Sequence, residues 1–214
     1  MTNAARLQQT LDRIEKDRSD LLSQFEGLSQ PQMDFKPAGD LWSLGEVAHH
    51  VCLAEKMVQD NMKDLLREGI GGRSVNKRIR FQDLPLAPRI IPTSLLQSNV
   101  FQIPLAFMTS LAPRALQSYL LANPVLKALA APILQPQAGI PRDELFRLLR
   151  ETRDTTLTQM EPVKSWDLTL LQWNHPLIGK HDAYGMLELM GDHDRRHLRQ
   201  VKGIKGDRDF PGSS

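Results

Sequence analysis

The sequence predicts an all-α protein: a four-helix bundle with a proline-rich, partly helical insertion between its second and third long helices. Three observations carry that prediction. Apolar residues recur at three- and four-residue steps in four long stretches. The connections between the stretches are short to medium, apart from one long crossover. Histidines fall on the inward faces of the second and fourth stretches. A chain of 214 residues fits a single domain, here residues 1–205 with the insertion over 70–140, followed by a tail, 206–214, that lacks periodicity and is expected to be disordered.

The first helix is expected over residues 3–28, where Leu7, Leu11, Ile14, Leu21, Phe25 and Leu28 form a stripe interrupted by Arg18 and Pro31 ends any continuation. The second begins at Leu41-Trp42-Ser43-Leu44-Gly45-Glu46. Ser43 and Glu46 have the spacing of a capping box, in which each side chain satisfies a free backbone N–H at a helix start. Its stripe is Leu44, Val47, Val51, Ala54, Val58, Met62 and Leu65, and Gly69 stops it. Pro141 opens the third helix, with Leu145, Leu148, Leu149, Thr152, Thr156 and Met160 inside and Pro162 beyond its end. Asp182 is placed to cap the fourth, which carries Met186 to Ile204.

Between the second and third helices, residues 70–84 read as a basic linker. From Ile90 to Pro141 there is no Asp or Glu, and nine of the fourteen prolines lie between Pro85 and Pro141. Apolar segments broken so often by proline predict short helices joined by turns. So little charge means that the segment covers something: a wall of the site, or a homodimer interface as a second use of the same surface.

Composition excludes several classes. A net charge of +2, without a Lys/Arg face interleaved with aromatics, argues against nucleic acid. The single cysteine, Cys52, forms no internal disulfide and fits a reducing compartment. The N-terminal stretch is charged and helical rather than signal-like, and no apolar run approaches a membrane span, so a cytoplasmic protein is expected.

Helical phase then sorts the histidines. His193 and His197, four residues apart, share a face with Met186, Met190, Val201 and Ile204, all within about 40° of His197. On the second helix His50 lies about 60° from Val47 and inward, whereas His49, at about 160°, faces water. A buried imidazole requires a hydrogen-bond partner or a metal. His50, His193 and His197 converge if the helices form a bundle, and three neutral imidazoles suit a divalent ion, zinc, nickel or iron, with positions left open for water or substrate.

No general base stands out. Glu46 is accounted for by its cap, Glu55 lies about 80° off the stripe, and for Asp192 and Asp194 a contact to an imidazole N–H is no better supported than exposure. Cys52 lies about 140° off the stripe, and without a third orienting group it is not expected to be a nucleophile. His49, His175 and His181 are assigned to the surface or to loops.

Trp42-Ser43-x-x-Glu46 followed by His50, and Gly179 leading into His193-Asp194-Arg195-Arg196-His197-Leu198-x-Gln200-Val201, resemble the two signatures of the DinB-like, or YfiT-like, metal-binding four-helix bundles. The resemblance covers residues 1–68 and 141–205. It implies one divalent metal on His50, His193 and His197, and a small-molecule substrate. Characterised members include S-transferases and isomerases that use low-molecular-weight thiols, and others are described as metal-dependent hydrolases. The shared logic is a metal that lowers the pKa of a thiol or a water beside an electrophile. The competing expectation is a binding or oligomerisation module whose metal site is structural or vestigial.

Overall fold

The computed structural model describes residues 1–39, 41–78, 134–175 and 179–212. These are mostly helical: α1 (Asn3–Leu22), α2 (Gln30–Asp34), α3 (Leu44–Glu68), α4 (Arg142–Met160) and α5 (Ala183–Lys205), with three short strands, β1 (Val75–Arg78), β2 (Leu171–His175) and β3 (Gly179–Asp182). The chain divides into two compact units. One comprises Met1–Asp64, Pro136–Asp167 and Tyr184–Ser214; the other comprises Leu65–Gln135 and Leu168–Ala183.

In the first unit, local signals fix where helices start. Thr2 accepts from Ala5 N at 3.2 Å at the head of α1. Glu46 Oε2 accepts from Ser43 N at 2.8 Å while Ser43 Oγ accepts from Glu46 N at 3.2 Å, so the expected capping box opens α3. α1 stops at Leu22, short of residue 28, and Gly27 turns the chain at a φ of 72°. Residues beyond it form α2, with Ser29 N donating to Gln32 Oε1 at 2.8 Å. The core joins Leu21, Phe25, Met33, Leu44, Val47, Val51, Leu145, Leu149 and Val201, all nearly or fully buried. Burying a Leu or Phe side chain is worth about 1.5–3 kcal/mol each, so this cluster is the main source of the unit's stability.

The carboxyl-terminal tail is tied to that core. Phe210 packs edge-on against Phe35 with ring centroids 5.4 Å apart, and Gln32 Nε2 donates to Pro211 O at 2.9 Å.

The second unit carries the sheet, ordered β1-β2-β3. β1 runs parallel to β2 with Val75 opposite Leu171, and β3 runs antiparallel with His181 opposite Trp173. Leu171, Trp173 and His175 are buried, whereas Gln172 and Asn174 between them are half-buried, the alternation of a strand covered on one face. At Gly69, just past α3, a Cβ would come 2.4 Å from Leu171 Cδ2, so any side chain there would have to displace Leu171. The described residues are mostly helical, as expected, but they also carry this small sheet, which the expectation of an all-α fold did not include. Strands of four and five residues, within the stretches 70–84 and 163–182, are too short and too polar to stand out beside the helical stripes. Residues 79–133, and with them the expected short helices of the insertion, lie outside the described residues.

Candidate metal centre

Three imidazoles come together in the first unit. His50 stands on the second turn of α3, directly after the capped start, while His193 and His197 stand one turn apart on α5. Each offers a ring nitrogen, and these atoms all lie within 4.8 Å of one another, a group that could hold a metal ion. Ring centroids are 5.2 Å apart for His50 and His193, 5.0 Å for His50 and His197, and 4.3 Å for His193 and His197. Trp42 also packs against His50, its ring centroid 4.6 Å away at an interplanar angle of 44°, and restrains that ring.

The donor set suits a cation. His193 Nε2 and His197 Nε2 are 3.1 Å apart. Two imidazole nitrogens at about 2.0–2.1 Å from one ion, subtending roughly 90–109°, would be about 2.8–3.4 Å apart, so this pair already has a chelating spacing. His197 Nδ1 meets Gln200 Oε1 at 2.9 Å. An amide oxygen only accepts, so Nδ1 carries the proton and the Nε2 lone pair points toward its partners. Burial, reinforced by the neighbouring His197 and His50 and by the cations Arg196 and Arg18, holds His193 well below the usual imidazole range. A neutral ring is the form that ligates a metal.

Behind α5 lies a buried charge network that links four helices. Arg18 of α1 donates through Nε to Asp194 Oδ2 and through Nη2 to Asp194 Oδ1, both at 3.0 Å, and through Nη2 to Glu55 Oε2 at 2.5 Å. Arg153 of α4 donates through Nε to Glu55 Oε1 at 2.9 Å and through Nη2 to Asp194 Oδ2 at 3.0 Å. Thr156 Oγ1 adds a bond to Glu55 Oε1 at 2.7 Å, and the remaining guanidinium donors reach Leu149 O and Ile14 O. All four charged side chains are at most 3% exposed. Two cations face two anions, so the cluster is neutral as a whole. Burial raises the Glu55 carboxyl, but Arg18 and Arg153 outweigh it and hold it below the usual carboxylate range. Asp194 adjoins His193 in sequence, so this network also fixes the register of the helix that carries two of the imidazoles.

Phase from a single stripe misplaced several residues. Glu55, about 80° off it, is buried in the network, and so is Asp194. Arg18, which reads as an interruption, is 3% exposed. Cys52 is buried too, because α3 is packed on more than one side, and burial pushes its thiol up to about 11. His49 is half-buried, its Nδ1 accepting from Gln137 N at 2.8 Å. Glu46 serves its cap and pairs with Lys36. Asp192 is part-exposed and pairs with Arg195. His175, expected in a loop, is a buried strand residue 5.0 Å from the Trp173 ring, and His181 is half-buried on β3. Gln200 had no assigned role in the sequence. Its signal was its place three residues after His197, on the same side of the helix.

The fold and the site together define a mostly helical protein with three inward imidazoles that could hold a metal ion. A family model described as the DinB superfamily matches residues 13–201, and the chain belongs to that superfamily. No curated protein and no solved structure matches it. Among the described residues no helix is long and apolar enough to cross a membrane.

Proposed function

We propose that this protein is a metal-dependent enzyme built on a four-helix bundle of α1, α3, α4 and α5, with His50, His193 and His197 as ligands of one divalent ion, zinc, nickel or iron. The observation that carries the reading is the pair of Nε2 atoms 3.1 Å apart, with Gln200 on the far nitrogen of His197. The ion, when bound, supplies Lewis-acid chemistry that lowers the pKa of a thiol or a water. The protein's own groups do the rest. The buried network holds α5 in register, Trp42 restrains His50, and His197 keeps its tautomer through Gln200. Three protein ligands leave coordination positions for a substrate, the pattern of catalytic rather than structural sites. The reaction is the transfer of a thiol to an electrophile, or hydrolysis, on a small molecule in a reducing compartment, the cytoplasm.

The test is turnover by the metal-loaded protein, with electrophiles plus glutathione, mycothiol or bacillithiol, and with esters and amides alone. Activity above a His197→Ala control is expected in one of the two arms. A fully metallated protein with none across a broad panel would be a binding module instead.

A further inference from the structure

Of the buried and half-buried arginines among the described residues, one, on the helix that carries two of the imidazoles, has no counter-ion. Among the described residues, the other buried or half-buried arginines are engaged. Arg18 and Arg153 hold Glu55 and Asp194, Arg195 holds Asp17 and Asp192, Arg142 reaches Leu28 O and Asp143, and Arg6 lies over the Tyr184 ring at 3.9 Å. Arg196 has no such partner. It is half-buried, follows His193 by three residues and directly precedes His197 on α5. Arg199, exposed and one turn further along, adds a second positive charge on the same side of the helix rather than a carboxylate to neutralise the first.

A guanidinium losing part of its hydration without a counter-ion is costly, whereas five N–H donors in a planar fork match an acid group closely. Resting on the metal-site reading above, we propose that Arg196 selects an anionic substrate or co-substrate, one whose carboxylate or phosphate lies on the Arg196 fork while its reacting end sits at the three histidines. Arg199 strengthens the local positive field without touching the acid group. The inference narrows the class of molecule received: a neutral thiol or a neutral ester lacks the feature that the site is built to read.

The test uses the full chain, metal-free and loaded with cobalt(II), and three probes: 3-mercaptopropionate, the similarly sized neutral 2-mercaptoethanol, and inorganic phosphate. Two signals are followed. One is the thiolate-to-cobalt charge-transfer band, which appears as a thiol coordinates and releases its proton to solvent. The other is the Arg196 Nε–H cross-peak, assigned by its loss in Arg196→Lys. Wild type is expected to bind 3-mercaptopropionate about tenfold or more tighter than 2-mercaptoethanol, tenfold being about 1.4 kcal/mol. The Arg196 signal should shift with the anionic probe and not with the neutral one. Arg196→Met should erase the preference while leaving the affinity for 2-mercaptoethanol unchanged, and Arg196→Lys should keep part of it. A phosphate response as strong as the carboxylate one would assign the fork to phosphate-bearing molecules.

Equal affinities for the two thiols in wild type, or a preference that survives in Arg196→Met, would overturn the proposal and leave Arg196 as a side chain whose head simply meets water. If wild type takes up no cobalt, the metal reading falls instead. The Arg196 signal in metal-free protein then still decides the anion site, because an unresponsive fork at saturating 3-mercaptopropionate and phosphate refutes it without any metal.

Discussion

Replacing Asp194 by alanine removes one carboxylate from a closed set of two and two. Arg18 loses the partners of its Nε and of one Nη2 bond, and Arg153 loses one Nη2 bond, each contact being 3.0 Å long. Two guanidiniums then share Glu55 alone, at sites no more than 3% exposed, so one buried positive charge is left uncompensated. Breaking a buried pair in this way costs about 3–5 kcal/mol. That is a large part of the roughly 5–15 kcal/mol that holds a domain together. With a urea slope near 2 kcal/mol per molar, a loss of about 4 kcal/mol moves the midpoint down by roughly 2 M. The assay is urea unfolding of wild type, Asp194→Ala, Arg153→Met and the double variant, followed by far-ultraviolet circular dichroism. Because the double variant removes one charge of each sign, it should recover much of what either single change loses. A loss below about 1 kcal/mol for Asp194→Ala, or a double variant that shows the full sum of the two singles, would refute the argument from charge balance.

Three further outcomes follow from particular contacts. His175 is held down to about 4 by burial and by His181, against an ordinary 6.5. Its neutral form is favoured by folding, so its contribution is complete above pH 6.5 and is lost as pH falls toward 4; at pH 5 the loss is about 2 kcal/mol, and His175→Phe should flatten that part of a pH–stability profile measured against wild type. Cys52, buried with its thiol pushed up to about 11, should not react with a disulfide reagent in the folded protein at neutral pH but should give one thiol per chain in denaturant; fast reaction in the native state would contradict the packing of α3. At Gly191, a Cβ would meet Asp17 Oδ2 at 2.7 Å and Ile14 Cγ2 at 3.1 Å, so Gly191→Ala should cost about 1–3 kcal/mol and lower Tm by roughly 2–12 °C; an unchanged Tm would show that α1 yields at this crossing.

How much of this was legible in the sequence depended on whether a signal was local. The Ser43/Glu46 box, the stop at Gly69 and the inward phase of His50, His193 and His197 each lie within a few turns of one helix, where 3.6-residue periodicity and cap chemistry are sufficient. The charge network was hidden for the opposite reason. Its four members, Arg18, Glu55, Arg153 and Asp194, are far apart in sequence, and a charged residue reads as outward until its counter-ion on another helix is known. The same blindness applies to the sheet. The pairing of Val75–Arg78 with Leu171–His175 joins segments almost a hundred residues apart, and only the alternation of Leu171, Trp173 and His175 hinted at a strand. The acceptor on His197 Nδ1 needed coordinates, since three-residue spacing brings many side chains close without bonding them.

The most direct measurement is the metal content of protein purified without chelator, beside the single variants His50→Ala, His193→Ala, His197→Ala and His49→Ala. The account predicts about one divalent ion per chain in wild type and in His49→Ala, and loss of tight binding in each of the other three. Stoichiometric metal retained when His50 and His193 are both replaced, or none in wild type after exposure to zinc, nickel and iron, would contradict it.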